Sequence, residues 1–187
     1  MIDKLLQIDT ELFLFLNSLH SDFLDSIMWF ISGKIQWVPL YALIIFFIIK
    51  KFKKKSVVII ASLILAIIFS DQISVHLFKD LFQRLRPCHN SQISNIVHIV
   101  NNHCGGKYGF VSSHAANTFA LATFISCLYK NKYVSYSFFL WATIVSFSRI
   151  YLGVHYPGDV LCGALLGIII AIFFYKNYLF VAKKLNL

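Results

Sequence analysis

Residues 57–79 read VVIIASLILAIIFSDQISVHLFK. From Val57 to Phe69 the run is apolar apart from Ser62. A bilayer core of about 30 Å needs roughly 20 predominantly apolar residues in a helix, and this stretch has that length. Its second half carries Asp71, His76 and Lys79. Ionisable groups at membrane depth are costly, so they mark function by default. The stretch therefore predicts a helix that crosses a membrane and delivers polar chemistry to one end.

Four further apolar stretches lie on either side of it, at residues 35–50, 114–130, 133–151 and 159–182. Only 13% of the 187 residues are charged while 58% are hydrophobic, and mean hydropathy is +0.72. A soluble domain would carry roughly a quarter charged residues, so the chain is expected to be an all-α integral membrane protein with about five transmembrane helices. The length suits a single membrane-embedded domain over residues 1–187. No internal repeat interrupts it.

Residues 1–32 differ in kind. Leu and Phe alternate there with Asp9, Glu11, Asn17, His20, Asp22 and Asp25, which predicts two amphipathic helices lying in the interface. The alternative is a sixth span over residues 11–31, against which the polar cluster from Asn17 to Asp22 argues. No basic segment leads into this stretch, so a cleaved secretory signal is not expected.

The formal net charge is +9. In a soluble protein that would suggest nucleic acid as partner. Here the lysines flank apolar runs, and topology explains them. If five spans alternate, Lys50, Lys51, Lys53, Lys54 and Lys55 share one side with Lys130 and Lys132 and with Lys176, Lys183 and Lys184, while every acidic residue falls elsewhere. The positive-inside rule puts those ten lysines in the cytoplasm. The loop of residues 85–111 and the turn of residues 152–158 then face the opposite side. Loops longer than about 12–15 residues are often functional.

Three polar clusters return to that face: Lys79 and, seven residues on, Arg86-Pro87; Val111-Ser112-Ser113-His114; and Ser148-Arg149, His155 and Asp159. One Lys or Arg at a membrane edge is usually a snorkelling anchor, and one His at a helix start is usually a cap. Three cations, two histidines and a carboxylate converging from distant places exceed those readings. Arg presents a planar fork that matches phosphate oxygens, and Lys adds a point charge. The start of a helix near residue 113 adds free N–H groups, and Ser112 a hydroxyl. His155 and Asp159, four apart, share one face of a helical turn, and Pro157 is tolerated at a helix start. A carboxylate on one imidazole nitrogen leaves the other as a nucleophile. His114 is then free to act as general acid and base, its ordinary pKa of about 6.5 suiting both roles.

These clusters resemble the three signature motifs of the type 2 phosphatidic acid phosphatase family, kin to vanadium haloperoxidases and bacterial acid phosphatases. Lys79, Arg86 and Pro87 fit the first motif. Ser148, Arg149, His155 and Asp159 fit the third. Ser112 and His114 fit the second, whose Pro and Gly are replaced by Val111 and Ser113. The resemblance spans residues 79–159. It implies a phosphohistidine on His155, Asp159 as its orienter, and His114 as proton donor to the leaving group. It also implies phosphate binding by Lys79, Arg86, Ser112, Arg149 and the Ser113 N–H, with no metal or other cofactor. Glycine permits positive φ, so Ser113 is expected to find a tolerated conformation with its N–H still aimed at phosphate.

Cys88 and Cys104 flank the long loop and are expected to form a disulfide, worth roughly 3 kcal/mol in the chain-entropy picture. Two free thiols are the alternative, as is a zinc site drawn from Cys88, His89, His98, His103 and Cys104. Asp71 and His76 are expected to support the site through hydrogen bonds. Arg84 and Lys107 are either solvated loop charges or aids to head-group binding. The expected function is metal-independent hydrolysis of a lipid phosphate or diphosphate at the outer leaflet of a bacterial inner membrane. Candidate substrates are undecaprenyl diphosphate, phosphatidylglycerol phosphate, phosphatidic acid and lipid A phosphate. Phosphoryl transfer between lipids, non-catalytic binding or transport of anionic lipids, and vanadate-dependent peroxidation are the alternatives.

Overall fold

The structure, a computed structural model, describes residues 2–186. Among these the regular structure is helical throughout: α1 (Ile2–Ser18), α2 (Asp22–Ser32), α3 (Val38–Phe52), α4 (Ser56–Gln72), a π-helical segment (Ile73–Lys79), α5 (Asp80–Phe82), α6 (Ser113–Tyr129), α7 (Lys132–Tyr151) and α8 (Pro157–Lys184). Each of the five apolar stretches coincides with a helix. The breaks between them have local causes. Lys53, at φ 49°, ends α3 and turns the chain back into α4. Lys130, at φ 51°, ends α6, and the Asn131 side chain then accepts from the Tyr133 and Val134 N–H groups that open α7. Pro157 occupies the first turn of α8, where its missing N–H costs nothing.

Two segments, Ile35–Phe82 and Pro157–Lys184, contain an 18-residue window of mean hydropathy 2.2 and are long enough to cross a membrane. The first is the α3–α4 hairpin. Large apolar side chains such as Phe46, Ile64, Leu65, Ile169 and Phe173 stand exposed on these helices, as a lipid-facing surface requires. α6 is different. At 17 residues it measures about 25 Å, and ten of its side chains are buried. It is the central helix of the bundle.

α6 and α8 approach closely because small residues line their contact. A Cβ on Gly163 would lie 2.5 Å from the Ser112 carbonyl oxygen, and one on Gly167 would collide with that of Ala116. The main core packs Ile48, Ile59, Ala120, Phe124, Ile125 and Ala171 from α3, α4, α6 and α8.

Residues 2–32 form two helices, as expected, capped at the break by Ser21. The polar cluster between them is not a solvated face. Asn17 is 2% exposed. Its amide donates to the His98 and Tyr151 carbonyls at 3.0 and 2.8 Å and accepts from the His98 N–H at 2.8 Å. Asp25 takes the Tyr151 hydroxyl at 2.6 Å and the His98 ring at 2.9 Å. These groups tie the N-terminal helices to the long loop and to α7.

Candidate active site

Lys79 ends the π-helical segment, and its Nζ donates to Ser113 Oγ at 2.9 Å. Ser74 Oγ reaches the same hydroxyl at 2.6 Å. The i→i+5 hydrogen bonding of a π-helix brings residues five apart towards one face, which lets Ser74 and Lys79 meet one partner. The same wide turn separates His76 from Lys79. His76 is largely exposed and pairs with Asp80 at 3.6 Å, so the expectation that it supports the site is corrected. Asp71 accepts from the Asn117 amide at 3.0 Å, and both line the same cavity as Lys79.

Arg86 follows the helix in a loop whose ends are zipped together. The Arg86 N–H donates to the Lys107 carbonyl at 3.1 Å, and the Gly109 N–H to that of Arg84 at 2.8 Å. The Arg86 guanidinium, 8% exposed, donates to the Tyr108 and Cys104 carbonyls at 3.3 and 3.1 Å. Cys88 and Cys104 are bonded, with Cα atoms 6.0 Å apart, so the bridge ties the segment just after Arg86 to the Cys104 carbonyl region that Arg86 engages. Of the residues weighed for zinc, Cys88, His89 and Cys104 lie together, but the bridge consumes both thiols. His98 is held by Asp25, and His103 packs against Trp29. Alkylating the unreduced protein should leave Cys88 and Cys104 unlabelled in a mass spectrum. Reductant should expose both and lower turnover severalfold as Arg86 loosens.

Ser112 caps α6, accepting from the Ala115 N–H at 3.5 Å, and is fully buried. Its own N–H donates to the Asp159 carbonyl at 3.0 Å. Ser113 and His114 open the helix, and these two, not Ser112, line the cavity. Ser113 is helical and is not among the residues at positive φ. Arg149, in the last turn of α7, donates through Nη1 to Ser32 Oγ, while its buried Nε has no partner among the described residues.

His155 and Asp159 meet at the start of α8. Nδ1 of His155 lies 3.4 Å from Asp159 Oδ2, which also accepts the Tyr156 N–H at 3.1 Å. The first distance is long for a hydrogen bond. His155 is 2% exposed and Asp159 fully buried. Burial, then the fields of Arg86, Arg149 and Lys79, hold the His155 imidazole well below its ordinary pKa of 6.5. With Nδ1 turned to Asp159, Nε2 is left for chemistry. The chain passes close beside this pair at Gly109: a Cβ there would stand 3.1 Å from Asp159 Oδ2 and 3.2 Å from Arg86 Cγ, tight contacts that would push on both side chains.

Three residues that sequence reasoning missed or underweighted complete the surroundings. Arg84 donates to Asp159 Oδ1 and to Asp9 Oδ2, both at 2.8 Å, and its guanidinium lies 4.0 Å from the centre of the Tyr156 ring. Asp9 comes from α1, and Ser32 from the end of α2. Their partners are far away in sequence, so no local spacing announces them.

Lys79, Arg86, Ser113, His114, Arg149 and His155 all line one cavity of about 800 Å³. It continues from these polar groups between α3 and α4, past Tyr41, Ile44, Ile64 and Ile67. Ile45 and Ile64 on its wall are 41% and 52% exposed.

The family described as the PAP2 superfamily matches residues 57–182. A lipid A 4'-phosphatase of Bacteroides thetaiotaomicron is 42% identical over 188 aligned residues, covering 100% of this chain and 82% of the relative. A lipid A 4'-phosphatase of Porphyromonas gingivalis is 35% identical, covering 98% of this chain and 78% of the relative. The crystal structure of Aquifex aeolicus LpxE superposes with a TM-score of 0.70 at 29% identity, covering 89% of this chain and 94% of that one. A family match over most of its length, joined by relatives of this identity along nearly all of it, means that the chain is a membrane phosphatase belonging to the PAP2 superfamily.

Proposed function

We propose that this phosphatase removes a phosphate monoester from a lipid A-type glycolipid, at the outer leaflet of the inner membrane, through a phosphohistidine on His155 and without a metal ion. The observation that carries the reading is the cavity. It joins a cluster of three cations and a Asp159-oriented imidazole to an apolar gap between α3 and α4. A lipid phosphate can enter at the polar end while its acyl chains remain in the bilayer. The two relatives aligned along nearly the whole chain are lipid A 4'-phosphatases, which favours lipid A among the lipid phosphates.

In the first step Nε2 of His155 attacks phosphorus, the bond from phosphorus to the lipid oxygen breaks, and His114 gives that oxygen a proton. In the second, His114 takes a proton from water, the oxygen attacks phosphorus, and the P–N bond breaks to release inorganic phosphate. Lys79, Arg86, Arg149 and the N–H groups opening α6 stabilise charge on the equatorial oxygens in both steps. The membrane topology that suits this has α3, α4, α6, α7 and α8 crossing the bilayer, with the lysine-rich turns in the cytoplasm.

Phosphate release by purified protein in detergent with EDTA tests the proposal, over a panel of lipid A, phosphatidylglycerol phosphate, phosphatidic acid and undecaprenyl diphosphate. The expected result is EDTA-resistant release with the highest kcat/KM on lipid A. Higher kcat/KM on another member overturns the substrate. Loss in EDTA restored by a divalent cation overturns metal independence. Phosphate recovered on a second lipid identifies a transferase.

A further inference from the structure

α1 carries one carboxylate into the catalytic network, and nothing in the three motifs accounts for it. Asp9 Oδ2 accepts from Arg84 Nη2 at 2.8 Å, and Asp9 Oδ1 accepts from the Gly158 N–H at 2.7 Å. Gly158 lies in the first turn of α8, where N–H groups have no partner within the helix. Asp9 therefore caps α8 from another helix. The other arm of Arg84 donates to Asp159 Oδ1 at 2.8 Å. That leaves Asp159 Oδ2 for the His155 imidazole and the Tyr156 N–H. One guanidinium spans two carboxylates, and its planar fork fixes both. Asp9 and Arg84 are only 15% and 20% exposed. Phe13, one turn beyond Asp9 on α1, is fully buried and meets the Tyr156 ring edge-on at 5.4 Å. Arg84 stacks on that same ring. α1 lies outside the residues that the family pattern covers.

We propose that Asp9 and Arg84 are positioning residues: Asp9 holds Arg84, and Arg84 holds Asp159 in the orientation that aims His155 at phosphorus. Neither touches the substrate phosphate. The N-terminal helix is then a working part of the catalytic site as well as a membrane-facing element, since its Leu5, Leu12 and Phe15 are exposed. The inference rests on the reading of His155 as nucleophile.

Steady-state kinetics of the full chain in detergent tests it, with functional sites counted by vanadate titration so that kcat is expressed per intact site. Outer partners that orient a catalytic or metal-bound group typically cost about 10–100-fold when removed. Asp9→Asn keeps the shape of the side chain and its acceptor for Gly158 but removes the charge. It is expected to lower kcat per site about tenfold with KM within about twofold, and Arg84→Ala to lower it about a hundredfold. Arg84→Lys, a point charge without the fork, is expected to restore part of that loss. Adding Asp9→Asn to Arg84→Ala should cost no more than about twofold, because Asp9 acts through Arg84. A purely structural role gives a different result: fewer vanadate-titrated sites and unchanged kcat per site. That result, or full kcat per site in Asp9→Asn, overturns the proposal. If His155→Ala retains turnover, the nucleophile reading itself falls; if His155→Ala is inactive while Asp9→Asn keeps its kcat, only the positioning role falls.

Discussion

His155→Ala is expected to cut phosphate release from the lipid by at least about 10⁴-fold, the scale of losses seen when a covalent nucleophile is deleted. The loss should appear in kcat, and the variant should still bind vanadate, because Lys79, Arg86 and Arg149 remain on the cavity wall. Rapid quenching of the wild type should trap acid-labile phosphate on the protein, and the variant should trap none. The pH dependence carries a second, independent signature. A nucleophilic imidazole must be neutral. Burial and the three cations hold His155 well below 6.5, so its proton binds only at lower pH than on a free imidazole. After allowance for ionisation of the substrate phosphate, kcat/KM should therefore not fall through His155 as pH drops past 6.5. An acid limb centred at 6.5 that disappears with His155 would contradict the electrostatic picture. Normal turnover by His155→Ala would remove the phosphohistidine scheme altogether.

How much of this site could be read in the sequence depends on whether the relevant geometry is local. His155 and Asp159 are four apart across a helix start, so spacing alone brings them together. The five apolar stretches mark helices because hydropathy is a property of contiguous residues. The contribution of α1 and α2 was not legible. Asn17 and Asp25 looked like interfacial polar groups until their partners, His98 and Tyr151, were in view. Asp9 pairs with Arg84 across 75 residues and Ser32 with Arg149 across 117, distances that no periodicity encodes. His76 went wrong for a specific reason. Residues three apart share a face of an α-helix, but Ile73–Lys79 is a π-helix, and the register changes just where Lys79 is delivered to the cavity. Ser113 raised the opposite difficulty. Standing where the family motif has glycine, it was expected to find a tolerated conformation; it is helical, and the unforeseen part is its hydroxyl, which engages Lys79 and Ser74.

Arg149→Met is expected to lower phosphate release by about 10²–10³-fold, the cost of removing one preorganised donor from a site where charge develops in the transition state. It should do so without lowering thermal stability. Arg149 has no carboxylate partner among the described residues. Its Nη1 rests on a serine hydroxyl and its Nε is buried unpaired. A charge held this way, on the same cavity wall as Lys79 and Arg86, is costly to bury without a counter-charge, and the counter-charge in the proposed reaction is the substrate phosphate. Two melting curves separate this from ordinary packing. In the wild type, orthovanadate should raise the melting temperature, since a ligand at a hundred times its Kd stabilises by about 2.7 kcal/mol. In Arg149→Met the unliganded melting temperature should equal or exceed that of the wild type, and the vanadate shift should shrink towards zero. Arg149→Lys should recover part of the shift and less of the rate, because a compact ammonium restores charge without the bidentate fork. A large fall in the unliganded melting temperature of Arg149→Met would instead make the residue a structural strut between α7 and Ser32. Unchanged vanadate stabilisation would place the phosphate elsewhere in the cavity. Between these outcomes lies the general point that an active site of this kind is assembled from groups that repel one another until substrate arrives. The fold keeps them together through the Ser32 and Ser113 hydroxyls and the backbone carbonyls of Tyr108 and Cys104, which carry no net charge of their own.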